Sequence, residues 1–300
     1  METDPKISVI IPTFRNREFL KLCLPEYLRT PGCEVIVGLD GFNREYLEWL
    51  EGQPVTISLT RRRQGLCTAT NLAAGLARGE YLFICNDDMV PGPGWEKLLL
   101  LLAERGGIVS ASVWEPGLIE VPPSHRKIDL GHDPQGFQSK DFQLLAGREL
   151  EAQGEASEPG INYPFLISAA SWRILGGLDE RFNPGSASDP DLFIRAALSN
   201  PAPAMIRSGG SIFYHFAGRS GIYAGGRVSL WWKLHRRHSL LMFRRKWGRR
   251  WQHHFGQVPD ISGWKALRPA PEPWLYGRLW RLLSFGPAGP HQVIRGRGWR

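Results

Sequence analysis

The amino-acid sequence predicts an α/β fold, a mostly parallel sheet flanked by helices. Short apolar segments rich in β-branched residues alternate with helical segments, which is the pattern of parallel strands joined by right-handed crossovers. At 300 residues, of which 42% are hydrophobic, the chain can bury a sizeable core. Two apolar segments, EVIVGLD and YLFICNDD, end in aspartates, and the carboxyl ends of strands are where such sheets bind ligands.

The elements can be assigned in order along the body of the chain. Strands are predicted where apolar runs are bounded by turn residues, at residues 6–12, 34–40, 55–59, 81–85 and 108–113. Order resumes at residues 163–168, and residues 204–214 contain a late strand, SIFYH, that ends at His215. Helices are predicted at residues 18–28, 68–78, 95–105, 171–175 and 191–198. Between residues 115 and 160 the periodicity fails and Pro, Gly and charged residues dominate, so we predict an irregular, functional loop there.

The net charge of +8 is divided unevenly along the chain. Residues 1–214 carry 20 Lys and Arg against 27 Asp and Glu, whereas residues 215–300 carry 17 against two. Eight of the twelve Trp also lie in that last part. We therefore expect a body, residues 1–226, and a basic, Trp-rich, helical extension, residues 227–300.

The cysteines and the lack of long apolar segments indicate where in the cell the protein is expected. None of the four cysteines forms a C-x-x-C pair, so reduced structural thiols are expected. The N-terminus lacks the pattern of a signal peptide, and no apolar run approaches the ~18 residues of a membrane span. These features fit a cytoplasmic protein, or one that lies peripherally on the inner face of the cell membrane.

The stretch C-N-D-D-M-V-P, residues 85–91, carries the clearest chemistry. Asp87 and Asp88 follow the apolar run YLFI and precede the turn sequence P-G-P-G. Paired acids at a strand end offer the hard oxygen ligands that Mg²⁺ or Mn²⁺ shares with substrate phosphates. Asn-Asp-Asp is also favourable turn chemistry, so these residues alone leave a metal site and a simple turn both open.

Six sequence blocks occur in an order that resembles the family 2 glycosyltransferases, over roughly residues 7–215. They are I-I-P-T-F-R-N, L-D-G, G-L-C-T-A-T-N-L-A-A-G-L-A-R-G-E-Y-L, N-D-D, G-G-L-D-E-R-F and S-D-P-D-L. The resemblance implies the Rossmann-like A-type glycosyltransferase (GT-A) fold. It also implies inverting transfer of a sugar from a UDP-, GDP- or dTDP-sugar to a hydroxyl of a polysaccharide or a lipid-linked glycan.

The resemblance assigns the donor site residue by residue. Asp88, the last acid of the motif, would be the direct ligand of Mn²⁺ or Mg²⁺, and His215 would be a further ligand. An alternative for His215 is a satisfied, half-buried histidine. The resemblance also implies that Asp87, with Asn86, contacts the ribose or sugar of the donor. Asp40, Pro12 and Phe14 would contact the nucleobase, and Arg219 would contact the phosphates.

An inverting transfer also needs a base that deprotonates the acceptor hydroxyl. The S-D-P-D-L block makes Asp189 the first candidate and Asp191 the second. Asp191 begins a predicted helix, so it could instead serve as a helix cap. Ser188 and Leu39 stand where the family usually has acids, which keeps a catalytically degenerate protein open. Asp179, in G-G-L-D-E-R-F, is expected to pair with Arg181 in a structural role.

The basic extension contains a helical pattern at residues 228–251 and a second apolar, basic segment at residues 274–285. A basic amphipathic helix with Trp predicts contact with an anionic membrane surface through residues 228–285. The alternative is that the helix packs on the body and its Trp are core. A nucleic-acid-binding extension is a further alternative, but it leaves the acidic residues unexplained, so nucleic acid is not an expected partner.

Overall fold

The structure, a computed structural model, describes residues 4–118, 121–217, 230–248, 257–261, 282–285 and 289–297. The strands are β1 (Ile7–Thr13), β2 (Cys33–Asp40), β3 (Thr56–Thr60), β4 (Tyr81–Ile84), β5 (Met89–Pro91), β6 (Gly107–Glu115), β7 (Arg126–Lys127), β8 (Ser157–Pro159), β9 (Phe165–Ser168), β10 (Ala204–His215) and β11 (His291–Arg295). The helices are α1 (Arg17–Leu28), α2 (Arg44–Glu51), α3 (Leu66–Ala74), α4 (Trp95–Glu104), α5 (Ser139–Gln153), α6 (Ala169–Leu175), α7 (Ser188–Ala197) and α8 (Leu230–Trp247).

One sheet organises the described residues, in the order β11-β3-β2-β1-β4-β9-β6-β10-β5, with β7 beside β6 and β8 beside β10. Strands β3, β2, β1 and β4 are parallel to one another, and β10 is parallel to β6. Strand β9 runs antiparallel between β4 and β6. The predicted mostly parallel α/β sheet is therefore confirmed, with antiparallel strands in its second half and at its β11 edge.

Apolar side chains cover both faces of the sheet, as the near-continuous hydrophobic strands require. All seven residues of β1 are buried. Gly38 in β2 lets α3 approach closely, because a Cβ there would lie 2.8 Å from the Ala69 carbonyl oxygen. This close packing sets the start of α3 against the carboxyl ends of β2 and β3, where the candidate site lies.

The prediction of an irregular loop over residues 115–160 is wrong for its second half. Helix α5 spans 15 residues there, and only Phe142 and Ala146 of them are buried. So few buried positions leave little apolar periodicity in the sequence, and this is why the helix was missed. The short strands β7 and β8 also pair within this segment, with β6 and β10 respectively.

The C-terminal extension contributes to the body in two ways. Helix α8 buries Met242, Phe243 and Trp247 in the apolar cluster below α7. Strand β11 pairs antiparallel with β3 and forms an edge of the sheet. The extension is therefore not wholly helical, and the boundary between residues 226 and 227 stays a prediction.

Two further expectations from the sequence concern the cysteines and membrane-spanning segments. All four cysteines are free, and Cys23, Cys67 and Cys85 are buried. Burial raises the pKa of the Cys67 and Cys85 thiols well above its ordinary value, so both thiols stay protonated. Among the helices in the described part of the chain, none is both long enough and apolar enough to cross a bilayer.

Candidate active site

The acid pair Asp87 and Asp88 lies in the turn between β4 and β5, beside the end of β1. The two carboxylates differ in their surroundings. Asp87 is buried and accepts hydrogen bonds from Thr13 Oγ1 at 2.5 Å and Asn16 Nδ2 at 2.8 Å. Thr13 Oγ1 in turn lies 2.6 Å from the hydroxyl of Tyr46. The end of β1 therefore fixes Asp87, while Asp88 is left to face the opposite strand.

Burial and the neighbouring charge of Asp88 raise the pKa of Asp87 to about 7, although the hydrogen bonds from Thr13 and Asn16 lower it. Two adjacent buried acids repel each other when both are ionised. A cation or a donor hydroxyl placed at this pair would relieve that repulsion. The predicted contact of Asp87 with ribose or sugar stays a prediction.

The structure brings His215, at the end of β10, to Asp88. Nε2 of His215 lies 3.4 Å from Oδ1 of Asp88. Nδ1 of His215 lies 2.8 Å from Oε1 of Glu115, the last residue of β6. The same Glu115 oxygen lies 3.0 Å from Nδ1 of His125. The side chains of Asp88, His215, Glu115 and His125 therefore form a continuous series of contacts between two carboxylates and two imidazoles.

Burial alone would lower the pKa of His215, but the carboxylates of Asp88 and Glu115 outweigh it and raise that pKa to about 10. Burial would likewise raise the pKa of Glu115, but the hydrogen bonds of His125 and His215 lower it to about 2. Glu115 is therefore ionised and only accepts hydrogen bonds. Both Nδ1 atoms must then carry protons, which leaves Nε2 of His215 directed at Asp88.

Without a cation, the raised pKa of His215 keeps a proton on Nε2, which faces Asp88. A cation that displaced this proton would meet one carboxylate oxygen of Asp88 and one imidazole nitrogen of His215. Within the described residues, no three His, Cys, Asp or Glu side chains form a group that could hold a metal ion alone. A divalent cation at Asp88 and His215 would complete its shell from water and phosphate oxygens, as Mg²⁺ usually does. The residues present fit such a shared site, and the metal itself stays a prediction.

The residues that were predicted to contact the nucleobase of the donor lie at the ends of β1 and β2. Asp40 is buried and accepts hydrogen bonds from the backbone N–H groups of Gln64 at 2.6 Å and Gly65 at 2.8 Å. Burial raises the pKa of Asp40, and those backbone donors lower it. The guanidinium of Arg63 stacks over the Phe14 ring at 4.1 Å. Asp40 thus orders the turn before α3, and its contact with a base stays a prediction.

Pro12 is buried within β1, where its register partner in β2 is Gly38. Asn86 is partly buried between β4 and the acid pair. Neither position contradicts the contacts that were predicted for it. Arg219, the predicted phosphate contact, lies outside the described residues.

Asp189 lies in the first turn of α7. Within the described residues no other side chain pairs with its carboxylate, and burial raises its pKa to about 6, offset in part by its own backbone N–H. Burial raises the pKa of the Tyr163 hydroxyl well above its ordinary value, and the charge of Asp189 adds to this effect. A carboxylate that titrates near neutrality suits a general base.

Asp191, the second candidate base, is not available for that role. It is fully buried, and its carboxylate contacts Lys246 Nζ at 2.6 Å, Arg195 Nε at 2.8 Å and Trp247 Nε1 at 2.9 Å. Both oxygens are engaged, because Asp191 joins α7 to α8. This engagement is evidence against Asp191 as the base. Asp191 is not the predicted helix cap either, because the N-cap of α7 is Ala187 and no side chain caps this helix.

The same ion-pair network confirms the structural role expected for Asp179. Its carboxylate contacts Arg181 at 2.5 Å and Lys246 at 2.7 Å. Burial would raise the pKa of Asp179, but these two cations hold it well below its usual range. The block G-G-L-D-E-R-F therefore anchors the C-terminal helix to the body.

Among the residues that the structure describes, three other than glycine have a left-handed backbone, and each flanks the candidate site. Arg15 (φ 57°) follows Phe14, Ala187 (φ 67°) precedes α7, and Ala217 (φ 41°) follows the end of β10. Such conformations cost about 1–3 kcal/mol each and tend to cluster at functional sites. The strain supports the assignment of the site to these three strand and helix ends.

Sequence reasoning missed Glu115, His125, Thr13 and Asn16. Glu115 could have been found by the signal that identified Asp40 and Asp88, an acid at the carboxyl end of an apolar strand. The predicted strand at 108–113 stopped two residues short of it, whereas β6 extends to Glu115. His125 has no comparable signal, because only the fold brings it to Glu115.

The sheet, with its acid pair after β4 and its histidine at the end of β10, defines a protein of the GT-A class. Residues 8–149 match the family model described as "Glycosyl transferase family 2". This segment belongs to glycosyl transferase family 2, and the resemblance drawn from the sequence blocks is confirmed.

Solved structures of the TarS protein of S. aureus share the fold. TarS 1-349 is 14% identical with a TM-score of 0.51, over 70% of this chain and 60% of that one. TarS itself is 15% identical with a TM-score of 0.51, over 71% of this chain and 37% of that one. TarS 1-349 in complex with UDP is 12% identical with a TM-score of 0.51, over 81% and 72%.

The chain therefore spans less than two thirds of the first two of these proteins, and at these identities the similarity establishes the fold alone. No curated protein sequence matches this chain.

Proposed function

We propose that the protein transfers a sugar from a nucleotide-diphosphate donor to a hydroxyl acceptor, with inversion at the anomeric carbon. The observation that carries this proposal is the convergence of Asp88 and His215 at the carboxyl ends of β4 and β10, with Asp189 left without a side-chain partner in the described part of the chain. The family match supports glycosyl transfer, and the binding of UDP by TarS 1-349 makes UDP the first nucleotide to test.

In the proposed reaction the residues of the chain have separate tasks. Asp189 accepts the proton of the acceptor hydroxyl as its oxygen attacks the anomeric carbon. The bond from that carbon to the diphosphate oxygen breaks, and the nucleotide diphosphate leaves. Asp88 and His215 would hold Mn²⁺ or Mg²⁺, which when bound stabilises the negative charge of the departing diphosphate. Asp87, fixed by Thr13 and Asn16, orients the ribose or sugar.

Isothermal titration calorimetry with UDP, GDP and dTDP, each with and without Mn²⁺, tests donor binding. We expect one nucleotide to bind in a metal-dependent manner, and we expect Asp88→Asn to abolish the metal-dependent part. Asp141→Asn, the same change at an exposed position on α5, is the matched control and should bind as the wild type does. Wild-type affinity in Asp88→Asn would refute the ligand role of Asp88.

Two alternatives give different results in the same series. A catalytically degenerate protein, suggested by Ser188 and Leu39, would bind a nucleotide but transfer no sugar across a panel of UDP-, GDP- and dTDP-sugars. A nucleic-acid-binding protein would show no metal-dependent nucleotide binding at all. Detection of product with an inverted anomeric centre by NMR would exclude both.

For the acceptor, we propose a glycan or lipid-linked glycan presented at an anionic membrane surface, with the protein lying peripherally on the cytoplasmic side. Leu234 and Leu241 share one face of α8 and are 50% and 48% exposed. Lys233, Arg237 and Arg244 are exposed beside them. Leucines bordered by cations suit an anionic interface, where each Lys or Arg gains about 1 kcal/mol. The opposite face of α8 is buried, so both alternatives drawn for this helix have support.

The membrane proposal is tested by sedimentation with vesicles of an anionic and of a neutral lipid. Leu234→Gln with Leu241→Gln should reduce binding to the anionic vesicles several-fold. Leu144→Gln with Leu145→Gln, on the exposed side of α5, is a matched control that should bind unchanged. Equal binding by both double variants would refute the membrane role of this face.

A further inference from the structure

Glu115 occupies an unusual position in the candidate site. It is the last residue of β6, it is 2% exposed, and one of its oxygens accepts from two histidines at 2.8 and 3.0 Å. Glutamates are almost never fully buried unless they are paired, because the charge must be compensated. The two imidazoles provide that compensation, so Glu115 has been placed where it contacts both His215 and His125.

The contact with His215 determines what that histidine can do. An imidazole at a strand end can rotate about its terminal torsion, which is broad in energy. The hydrogen bond from Nδ1 to Glu115 removes that freedom and leaves Nε2 3.4 Å from Asp88. A histidine that binds a metal almost always donates its other ring N–H to a carboxylate or a carbonyl in this way. Glu115 therefore has the geometry of the group behind a metal ligand.

The contact with His125 holds Glu115 itself in place. His125 precedes β7, and β7 pairs with the end of β6, with Glu115 opposite Lys127. The side chain of His125 is 9% exposed, and its ring is fixed through Nδ1 to the same carboxylate oxygen. The carboxylate is thus anchored from its own strand and from the segment that follows it.

We propose that Glu115 is a positioning residue for the cation and donor site, which acts by holding the imidazole of His215 with Nε2 toward Asp88. This inference rests on the proposed function, since it concerns the site at which the donor's phosphates and a divalent cation would meet. In this role Glu115 would act through His215 and would contact neither the donor nor the reacting atoms.

The test is the affinity for Mn²⁺ in the presence of saturating UDP, measured by electron paramagnetic resonance on the full chain. Glu115→Ala should weaken Mn²⁺ binding by about 10–100-fold, the usual effect of removing the partner of a metal-binding histidine. Glu115→Gln keeps an acceptor oxygen for Nδ1–H and should lose distinctly less. Glu151→Gln, an exposed glutamate on α5, should bind Mn²⁺ as the wild type does.

A spectroscopic readout separates positioning from a general loss of structure. Long-range ¹H–¹⁵N spectra of the histidine rings with Mg²⁺ and UDP should assign the proton of His215 to Nδ1 in the wild type and in Glu115→Gln. In Glu115→Ala the same ring should give the averaged signals of a rotating imidazole. Thermal unfolding without metal shows that each variant is folded.

Several outcomes would overturn the proposal. Mn²⁺ affinity in Glu115→Ala within twofold of the wild type, while Asp88→Asn loses it, would reject the positioning role and leave the proposed function intact. Equal losses in Glu115→Ala and Glu115→Gln would reject positioning through the hydrogen bond. Absence of metal-dependent UDP binding in the wild type would reject both the inference and the proposed function.

Discussion

The same substitution, aspartate to asparagine, at two positions in one helical turn should have opposite consequences. Asp189 and Asp191 both lie in the first turn of α7. Asp191→Asn should destabilise the protein and retain sugar transfer, whereas Asp189→Asn should abolish transfer without loss of stability. Because the two changes are chemically identical, each variant is the control for the other.

The magnitude for Asp191→Asn follows from its contacts. Removal of one partner from a buried ion pair costs about 3–5 kcal/mol. Lys246 keeps a second carboxylate, Asp179, at 2.7 Å, and the asparagine oxygen can still accept from Trp247 Nε1. We therefore expect the lower end, about 3 kcal/mol. At roughly 2–4 °C per kcal/mol for a chain of comparable size, the Tm should fall by roughly 6–12 °C.

The expectation for Asp189→Asn has the reverse sign. Burial raises the pKa of Asp189 from its ordinary value to about 6, so the fold disfavours the ionised carboxylate. At pH 7.5 that carboxylate is ionised in the wild type, and a neutral amide removes the penalty. The free energy of unfolding should be equal to or higher than that of the wild type, while loss of the base should slow transfer by about 10²–10⁴-fold.

The assays are urea unfolding followed by Trp fluorescence, and transfer with the donor identified by calorimetry, both at pH 7.5 and well below the Tm of either variant. A loss of transfer in Asp191→Asn that exceeds its unfolded fraction would refute the structural assignment. Transfer near the wild-type rate in Asp189→Asn would refute its role as the base.

The remaining predictions concern pH and the turn before α3. Because the pKa of Asp189 is raised to about 6, the transfer rate should rise as the pH increases through about 6, and a rate that stays flat from pH 5 to 7 would contradict the assignment. Because the pKa of Asp189 is higher in the folded than in the unfolded protein, its contribution to stability falls between about pH 4 and pH 6 and is lost above the folded pKa. Unfolding of the wild type and of Asp189→Asn over that pH range would detect this loss. Gly65→Ala should destabilise the fold by about 1–3 kcal/mol, because Gly65 has φ +98° and a Cβ would lie 2.5 Å from Oδ1 of Asn183. Unchanged urea unfolding of that variant would contradict the crowding.

The parts of the site that the sequence predicts best are those at the ends of apolar strands. The meeting of Asp88 with His215 could be anticipated, because both follow strands of one sheet and the order of blocks fixes which strands they are. The distinction between Asp189 and Asp191 could not be anticipated. It depends on Lys246 and Trp247, in a helix whose apolar pattern was equally consistent with a membrane contact.

Two other differences have similar physical causes. Helix α5 buries too few side chains to leave a periodic signal, so composition alone favoured a loop. Strand β11 is short and alternates exposed with partly buried residues, and its partner β3 is far away in the sequence. Pairing between distant segments leaves no local pattern in the sequence. The parallel core strands can be predicted, because both of their faces are buried and their sequences are continuously apolar.

The pairing of β11 with β3 determines when the sheet can be completed during synthesis of the chain. Strand β3 is synthesised long before β11, since 233 positions separate Ser58 from His291, yet Ser58 Oγ lies 2.9 Å from Nε2 of His291. Until the ribosome has released residues 291–295, the hydrogen-bonding edge of β3 has no partner on that side. An unpaired edge is a template for pairing with other chains. Chains that stop before residue 291 should therefore aggregate more readily than full-length chains, even though every residue of the candidate site would already have been synthesised.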